Sequence, residues 1–239
     1  MIFLCFAVKD RVPLINDFYQ YLQNFGLDVW YDRRNIYLGE DRYRTNITDG
    51  VQNPHVNYGI IFYSDNFAKG NICIDEYNIL AKRFQEGEIH LFPVFIDDVP
   101  ERIDPKFQLC KQLVFRTIRS SDDFYRVALH VLAKITQDEI AANPFQTLHE
   151  LIPSYMKRNN LIYSMLNEYE CIEKTNYAMR VASLFDIYSV GTFLHTKNYT
   201  HFKTMNYIYH RNCISIFQEE KRELQIMENI VLQELGSLL

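Results

Sequence analysis

The sequence predicts an α/β domain on a five-stranded parallel sheet, followed by a smaller all-α domain, and three observations support this. Short apolar runs alternate with longer amphipathic segments up to about residue 137. The strand-like runs are apolar at consecutive rather than alternate positions, as expected of a sheet covered on both faces. From about residue 150 to 239 no convincing strand recurs.

The run IFLCF (2–6) predicts the first strand. The segment 12–26 follows with Leu14, Phe18, Tyr21, Leu22 and Phe25 at helical spacing, and Gly26 is placed to end that helix. LDVWYD (27–32) predicts the second strand and RRNIYLGED (33–41) a loop. Residues 40–52 read as a helix and VNYGIIFYS (56–64) as the third strand. DNF (65–67) supplies capping residues for a helix from Asn66 to Phe84. IHLFPVFID (89–97) predicts the fourth strand, where Pro93 favours an edge or a bulge. QLVFRTI (112–118) predicts a short fifth strand, and SSDDFYRVALHVLAKI (120–135) a capped final helix. Together these make a flavodoxin-like domain over 1–137, in which ligands bind at the carboxyl ends of the strands. Residues 138–150 read as a linker and 151–239 as a helical domain. Its last segment sets Leu224, Met227, Val231, Leu235 and Leu238 three or four apart opposite charged residues, a stripe expected to pack within the chain.

Composition narrows the function classes. At 239 residues, 48% hydrophobic and only 7 prolines and 8 glycines, the chain has the make-up of a folded protein with a substantial core. A net charge of -5 gives no general basic field for nucleic acid or an anionic membrane. Cys5, Cys73, Cys110, Cys171 and Cys213 are far apart, lack metal-ligand spacing and read as reduced core residues, so no metal is expected. The opening MIFLCFAV has no basic start or small-residue cleavage site, and no apolar run approaches the length of a membrane helix, so a cytoplasmic protein is expected. GxGxxG, GxxxxGK and GxSxG are absent, which excludes a standard dinucleotide fingerprint, a P-loop and a serine-hydrolase elbow. A receiver domain would need acids where the first strand ends in Phe6 and Ala7, an aspartate after the third strand, where Asp65 reads as a helix cap, and a lysine near the fifth strand, which VFRT (114–117) lacks.

The stretch NICIDEYNIL (71–80) carries two acids in an apolar helix. On helical geometry Glu76 lies within the stripe of Ile72, Cys73, Ile79 and Leu80, while Asp75 turns toward water. A carboxylate on the core-facing side is either paired with an arginine or functional. Lys9, Asp10 and Arg11 after the first strand, Asp32, Arg33 and Arg34 after the second, and Ser64 and Asp65 after the third outline a polar crevice at the same rim. His195, His201 and His210 in the helical part read as structural rather than ligating.

Residues 1–137 resemble a TIR domain of the short bacterial kind. IFLCFAVKDR is similar to the family's first box, WYDRRNIYLGEDRYRTNI to its second strand and BB loop, and GIIFYSDNFAKGNICIDEYNIL to the strand ending in serine and the helix bearing Cys-x-x-Glu. LFPVFID matches the next strand. Leu38 stands at the loop's usual proline and Ile72 where many active members carry tryptophan.

The resemblance implies an enzyme that cleaves NAD+ between nicotinamide and ribose, with NAD+ as substrate and no cofactor. It puts the catalytic carboxylate at Glu76. Phe6, Ala7, Asp32, Arg33, Arg34, Leu38, Gly39, Ser64, Ile72 and Cys73 would line the substrate site. It further implies antiviral defence, self-association through TIR domains, and a downstream effector that reads a cyclic or conjugated ADP-ribose signal. Two other readings are a non-enzymatic TIR adaptor and a deoxyribosyltransferase-like enzyme with a nucleophilic glutamate.

Overall fold

The computed structural model describes residues 1–195, 198–214 and 220–239. The chain divides into two compact units, Met1–Val127 and Ala128–Leu239. In the first, strands β1 (Ile2–Cys5), β2 (Val29–Trp30), β3 (Tyr58–Tyr63), β4 (His90–Ile96) and β5 (Arg116–Ile118) form one parallel sheet in the order β2-β1-β3-β4-β5. This is the expected flavodoxin-like order. Every residue of β1 and β3 is buried, the reason these strands read as unbroken apolar runs.

The helices of this unit are α1 (Asn16–Asn24), α2 (Asp32–Asn35), α3 (Arg42–Thr45), α4 (Asp65–Ala68), α5 (Asn71–Gln85) and α6 (Gln108–Gln112); α7 (Phe124–Ile140) starts here. On one face of the sheet Phe18 of α1 packs edge-on against Phe62 and Phe124, with ring centroids 5.4 and 5.3 Å away. On the other, Tyr63, Phe67, Tyr77 and Phe107 form an aromatic cluster with Cys5, Leu80 and Phe95. Each such ring contributes about 1.5–3 kcal/mol by leaving water. Gly26, at φ +69°, ends the α1 segment as expected, because L side chains avoid that conformation.

Several local expectations are corrected. The helix expected over 66–84 is two helices, broken at Lys69 and Gly70, and its cap is Ser64 rather than the DNF residues: the Ser64 hydroxyl accepts from the Phe67 N–H at 3.0 Å. The second strand is only two residues long, because Asp32 already opens a helical turn whose Asn35 side chain accepts from the Tyr31 N–H at 2.9 Å. Pro93 sits in an inner strand, opposite Ile61 of β3. It is tolerated because pairing with β5 begins only at Val94, so β4 is locally an edge at that position. Cys171 and Cys213 are exposed, whereas Cys5, Cys73 and Cys110 are buried, and all five are free thiols.

The second unit contains α8 (Leu148–Tyr155), α9 (Asn160–Cys171), α10 (Tyr177–Gly191), α11 (Tyr199–Ile214) and α12 (Glu220–Gly236), and no strand among the described residues. Thr147, Asn159 and Asn176 cap α8, α9 and α10 with their side chains. The stripe on α12 packs within the chain, against α8, α10 and α11. Met227, Val231 and Leu235 are fully covered, while Leu224 and Leu238 lie at the margin of the stripe. His201 is buried between two carboxylates, with its ring nitrogens 2.6 Å from Glu234 and 2.9 Å from Glu139. Among the described residues, no helix is long and apolar enough to cross a membrane.

Candidate active site

Three chain segments that leave the carboxyl ends of β1, β2 and β3 converge on Glu76. The first carries Phe6 and Arg11, the second Asp32, and the third reaches back as α5. A fourth element, α3 and the helical turn that continues it from Asn46 to Val51, closes the side. These elements leave a cleft of about 30 Å³ lined by Leu4, Phe6, Val8, Arg11, Asp32, Arg42, Asn46, Ile72, Cys73 and Glu76. That is about the room one water occupies.

Glu76 is 5% exposed. The buried face of α5 runs through Cys73, Glu76, Tyr77 and Leu80, a slight rotation from the expected stripe that leaves Ile72 exposed at the cleft's mouth. The Glu76 carboxyl accepts from the Asn46 side-chain amide at Oε1 and from the Cys5 thiol at Oε2, the latter at 3.5 Å. Among the described residues no cation pairs with it. Arg11 and Arg42 both turn to Asp32, Arg42 at 2.9 Å, and Arg11 is buried beneath the rings of Phe6 and Tyr31. Desolvation therefore dominates, with the Asp32 charge adding to it, and the Glu76 carboxyl is pushed up to about 8 even though the Cys5 and Asn46 hydrogen bonds and Arg42 favour the ionised form. Burial also pushes the Cys73 thiol up to about 12 and raises Cys5, so both remain protonated at neutral pH.

The structure brings Phe6, Asp32, Ile72 and Cys73 together with Glu76 around the cleft. The Phe6 carbonyl accepts from the Cys73 thiol at 3.4 Å. Ala7 lies behind them in the core. Ser64 is engaged elsewhere, capping α4 and donating to Asp10. Arg33 and Arg34 are exposed on α2, outside the cleft lining. Leu38 and Gly39 form an exposed turn in which the Glu40 N–H reaches the Tyr37 carbonyl at 3.2 Å, and Gly39 takes φ +93°, which accounts for glycine there.

Sequence reasoning placed Arg11 only at the general rim and missed Asn46 and Arg42. A signal for the last two was present, since they are four residues apart on one expected helix and so share a face. Asp75, read as turned toward water, is half-buried at the surface and accepts from the Tyr43 hydroxyl at 3.1 Å.

The TIR domain family profile matches residues 2–130. The chain is 32% identical over 93 residues to the 2' cyclic ADP-D-ribose synthase BtTIR of Bacteroides thetaiotaomicron, a match covering 39% of this chain and 31% of that protein. It is 30% identical over 94 residues to the NAD(+) hydrolase TcpA of Theionarchaea archaeon (strain DG-70-1), covering 39% of this chain and 28% of that one. The match thus spans only about a third of the length of these curated relatives. The crystal structure of the TIR domain of the Toll-related receptor TRR-2 from Hydra magnipapillata aligns over 54% of this chain and 95% of that one, at 21% identity and a TM-score of 0.42.

Proposed function

The chain belongs to the TIR domain family, and on that premise we propose that it cleaves the nicotinamide–ribose bond of NAD+, with Glu76 as the catalytic carboxylate. One observation carries the reading: Glu76 is a buried carboxyl in a strand-end cleft, and the nearby arginines are committed to Asp32 instead of to it. Among the described residues, a structural ion pair, the ordinary reason for a buried glutamate, is not what holds this one. The similarity to relatives named as an NAD(+) hydrolase and a 2' cyclic ADP-D-ribose synthase adds support.

The chemistry suits a single carboxylate. Hydrolysis of an ordinary glycoside needs an acid for the leaving group in addition to a second carboxylate. In NAD+ the nicotinamide is already cationic. When the bond from ribose C1' to the ring nitrogen breaks, its electron pair goes to the nitrogen and nicotinamide departs neutral. The positive charge left at C1' is what a carboxylate in a water-poor cleft stabilises most strongly. Attack of water at C1', with loss of a proton, gives ADP-ribose; attack by a hydroxyl of the same molecule gives a cyclic product. On this reading the activity belongs to antiviral defence in the cytoplasm, and a cyclic or conjugated product acts on a separate effector.

Ligand pockets commonly have about 300–1,000 Å³, so a cleft of about 30 Å³ must open to admit NAD+. Self-association through the exposed Tyr37–Glu40 turn would do this, and activity would then rise with protein concentration. The test is nicotinamide release from NAD+ across a concentration series, by wild type and by Glu76→Gln and Glu76→Ala. Release by wild type and its loss, by at least about a hundred-fold, in both variants is expected. Release that survives both variants would overturn the role of Glu76. No release at any concentration would favour the adaptor reading.

A further inference from the structure

We infer that Asn46 is a positioning residue for Glu76, and that the indole of Trp30 sets its orientation, so that Trp30, Asn46 and Glu76 form one hydrogen-bonded relay. This rests on the proposed cleavage chemistry for its meaning and on geometry for its existence.

The relay has a defined polarity. An indole N–H can only donate, and Trp30 Nε1 lies 2.9 Å from Asn46 Oδ1. The amide oxygen of Asn46 therefore faces Trp30, and its NH₂ group must face the other way, where it donates to Glu76 Oε1. A carboxylate can only accept, so the ionised form of Glu76 is the one this amide favours. The indole is held in turn. Trp30 is buried on β2, and Gly50, four residues beyond Asn46 on the same helical segment, lies flat against it. A Cβ at Gly50 would stand 2.7 Å from the Trp30 Nε1 and 2.9 Å from the Phe3 ring, closer than side-chain atoms approach. Glycine at 50 thus lets the helical turn that carries Asn46 press close enough to the indole for the relay to form.

Among the described residues the other titratable or charged groups around Glu76 are the Cys5 thiol on β1, Arg11 on the segment after β1, Cys73 on its own helix, Asp32 on α2 and Arg42 on α3. Cys5 is the remaining hydrogen-bond donor, and as a thiol it is a weak one at 3.5 Å. Asn46 therefore supplies the amide contact that orients the carboxyl, and together with the Cys5 thiol it opposes the burial that holds Glu76 up at about 8.

The test compares wild type with Asn46→Ala and Trp30→Phe, which keeps an aromatic ring and removes the N–H. Two readouts are used: the titration midpoint of Glu76 followed by ¹³C NMR of labelled glutamate carboxyls, and the pH profile of kcat/KM for NAD+ cleavage. Loss of the donor in Asn46→Ala should raise the Glu76 midpoint by about one pH unit, a tenfold change in its ionisation equilibrium. With the ionised form active, kcat/KM should fall about tenfold at pH 7 but only about twofold at pH 9. Trp30→Phe should move both readouts in the same direction by less. A loss of packing alone would lower activity equally at every pH.

An unchanged Glu76 midpoint in folded Asn46→Ala would overturn the relay. If that variant does not fold, Trp30→Phe with an unchanged midpoint and pH profile would do the same. Should wild type release no nicotinamide, the proposed function fails, while the NMR midpoints still decide the role of Asn46.

Discussion

Glu76→Gln should make the sheet-bearing unit more stable at neutral and alkaline pH and leave it nearly unchanged near pH 5. The Glu76 carboxyl sits at about 8 in the folded cleft against 4.5 when solvated. A folded value above the solvated one means that stability is fully present below about 4.5 and is lost as pH rises through about 8. At 1.36 kcal/mol per pH unit, that gap sets a ceiling of about 5 kcal/mol. Between pH 5 and pH 8 the part realised is about 3 kcal/mol. Glutamine has nearly the same shape and no charge to desolvate, so it removes the pH dependence and retains most of the packing.

Urea unfolding at pH 5, 6, 7 and 8 measures this, and Trp30, the single tryptophan of the chain, reports on this unit by its fluorescence. With a urea slope of about 2 kcal/mol per M, the advantage of Glu76→Gln over wild type should grow by roughly 1.5 M in midpoint between pH 5 and pH 8. Parallel midpoints for the two proteins across that range would refute the claim that burial of an unpaired carboxyl dominates the site.

Two further outcomes follow from the charged groups. Asp32→Asn removes the partner of Arg11, whose side chain is 7% exposed, and should destabilise the unit by about 3 kcal/mol as measured by the same urea experiment, because it strands a buried cation. Burial opposes the charged form of His201, but its hydrogen bonds to Glu139 and Glu234 outweigh that and raise it to about 9 from 6.5, so its contribution is complete below about pH 6.5 and lost as pH rises through 9. The helical unit should therefore lose about 3 kcal/mol over that window in calorimetry, and His201→Gln should abolish the loss.

The parts of the molecule that were legible in the sequence are those where one local rule decides. β1 and β3 are buried on both faces, so their apolar runs are unbroken; Gly26 must take a positive φ; and the α12 stripe must be covered. What escaped depends on neighbours far along the chain. Pro93 was readable as a strand weakness, but its tolerance depends on where β5 starts to pair. The helix expected from Asn66 to Phe84 breaks because Ser64 caps a separate first turn, and Gly70 then starts α5 over Cys73 at close range. In the site, helical spacing identified Glu76 as an inward carboxyl. Asn46 could not be assigned to it because that contact spans thirty positions and depends on the indole of Trp30 for its orientation.

The charge state of the cleft bears on how the site would choose its substrate. Near pH 7 most Glu76 is protonated, because burial outweighs its hydrogen bonds and the pull of Arg42, and among the described residues both cleft arginines pair with Asp32 rather than with it. A ligand that brings its own positive charge beside the carboxyl supplies the missing counter-charge and draws Glu76 into its ionised form. A neutral glycoside offers no such compensation. On the proposed function the arrangement would favour a substrate whose leaving group is cationic before the bond breaks, and binding should release close to one proton per site near pH 7, detectable as a buffer-dependent heat in titration calorimetry. Heats that do not depend on the ionisation enthalpy of the buffer would mean that Glu76 does not change its protonation state on binding, and that substrate charge plays no part in activating it.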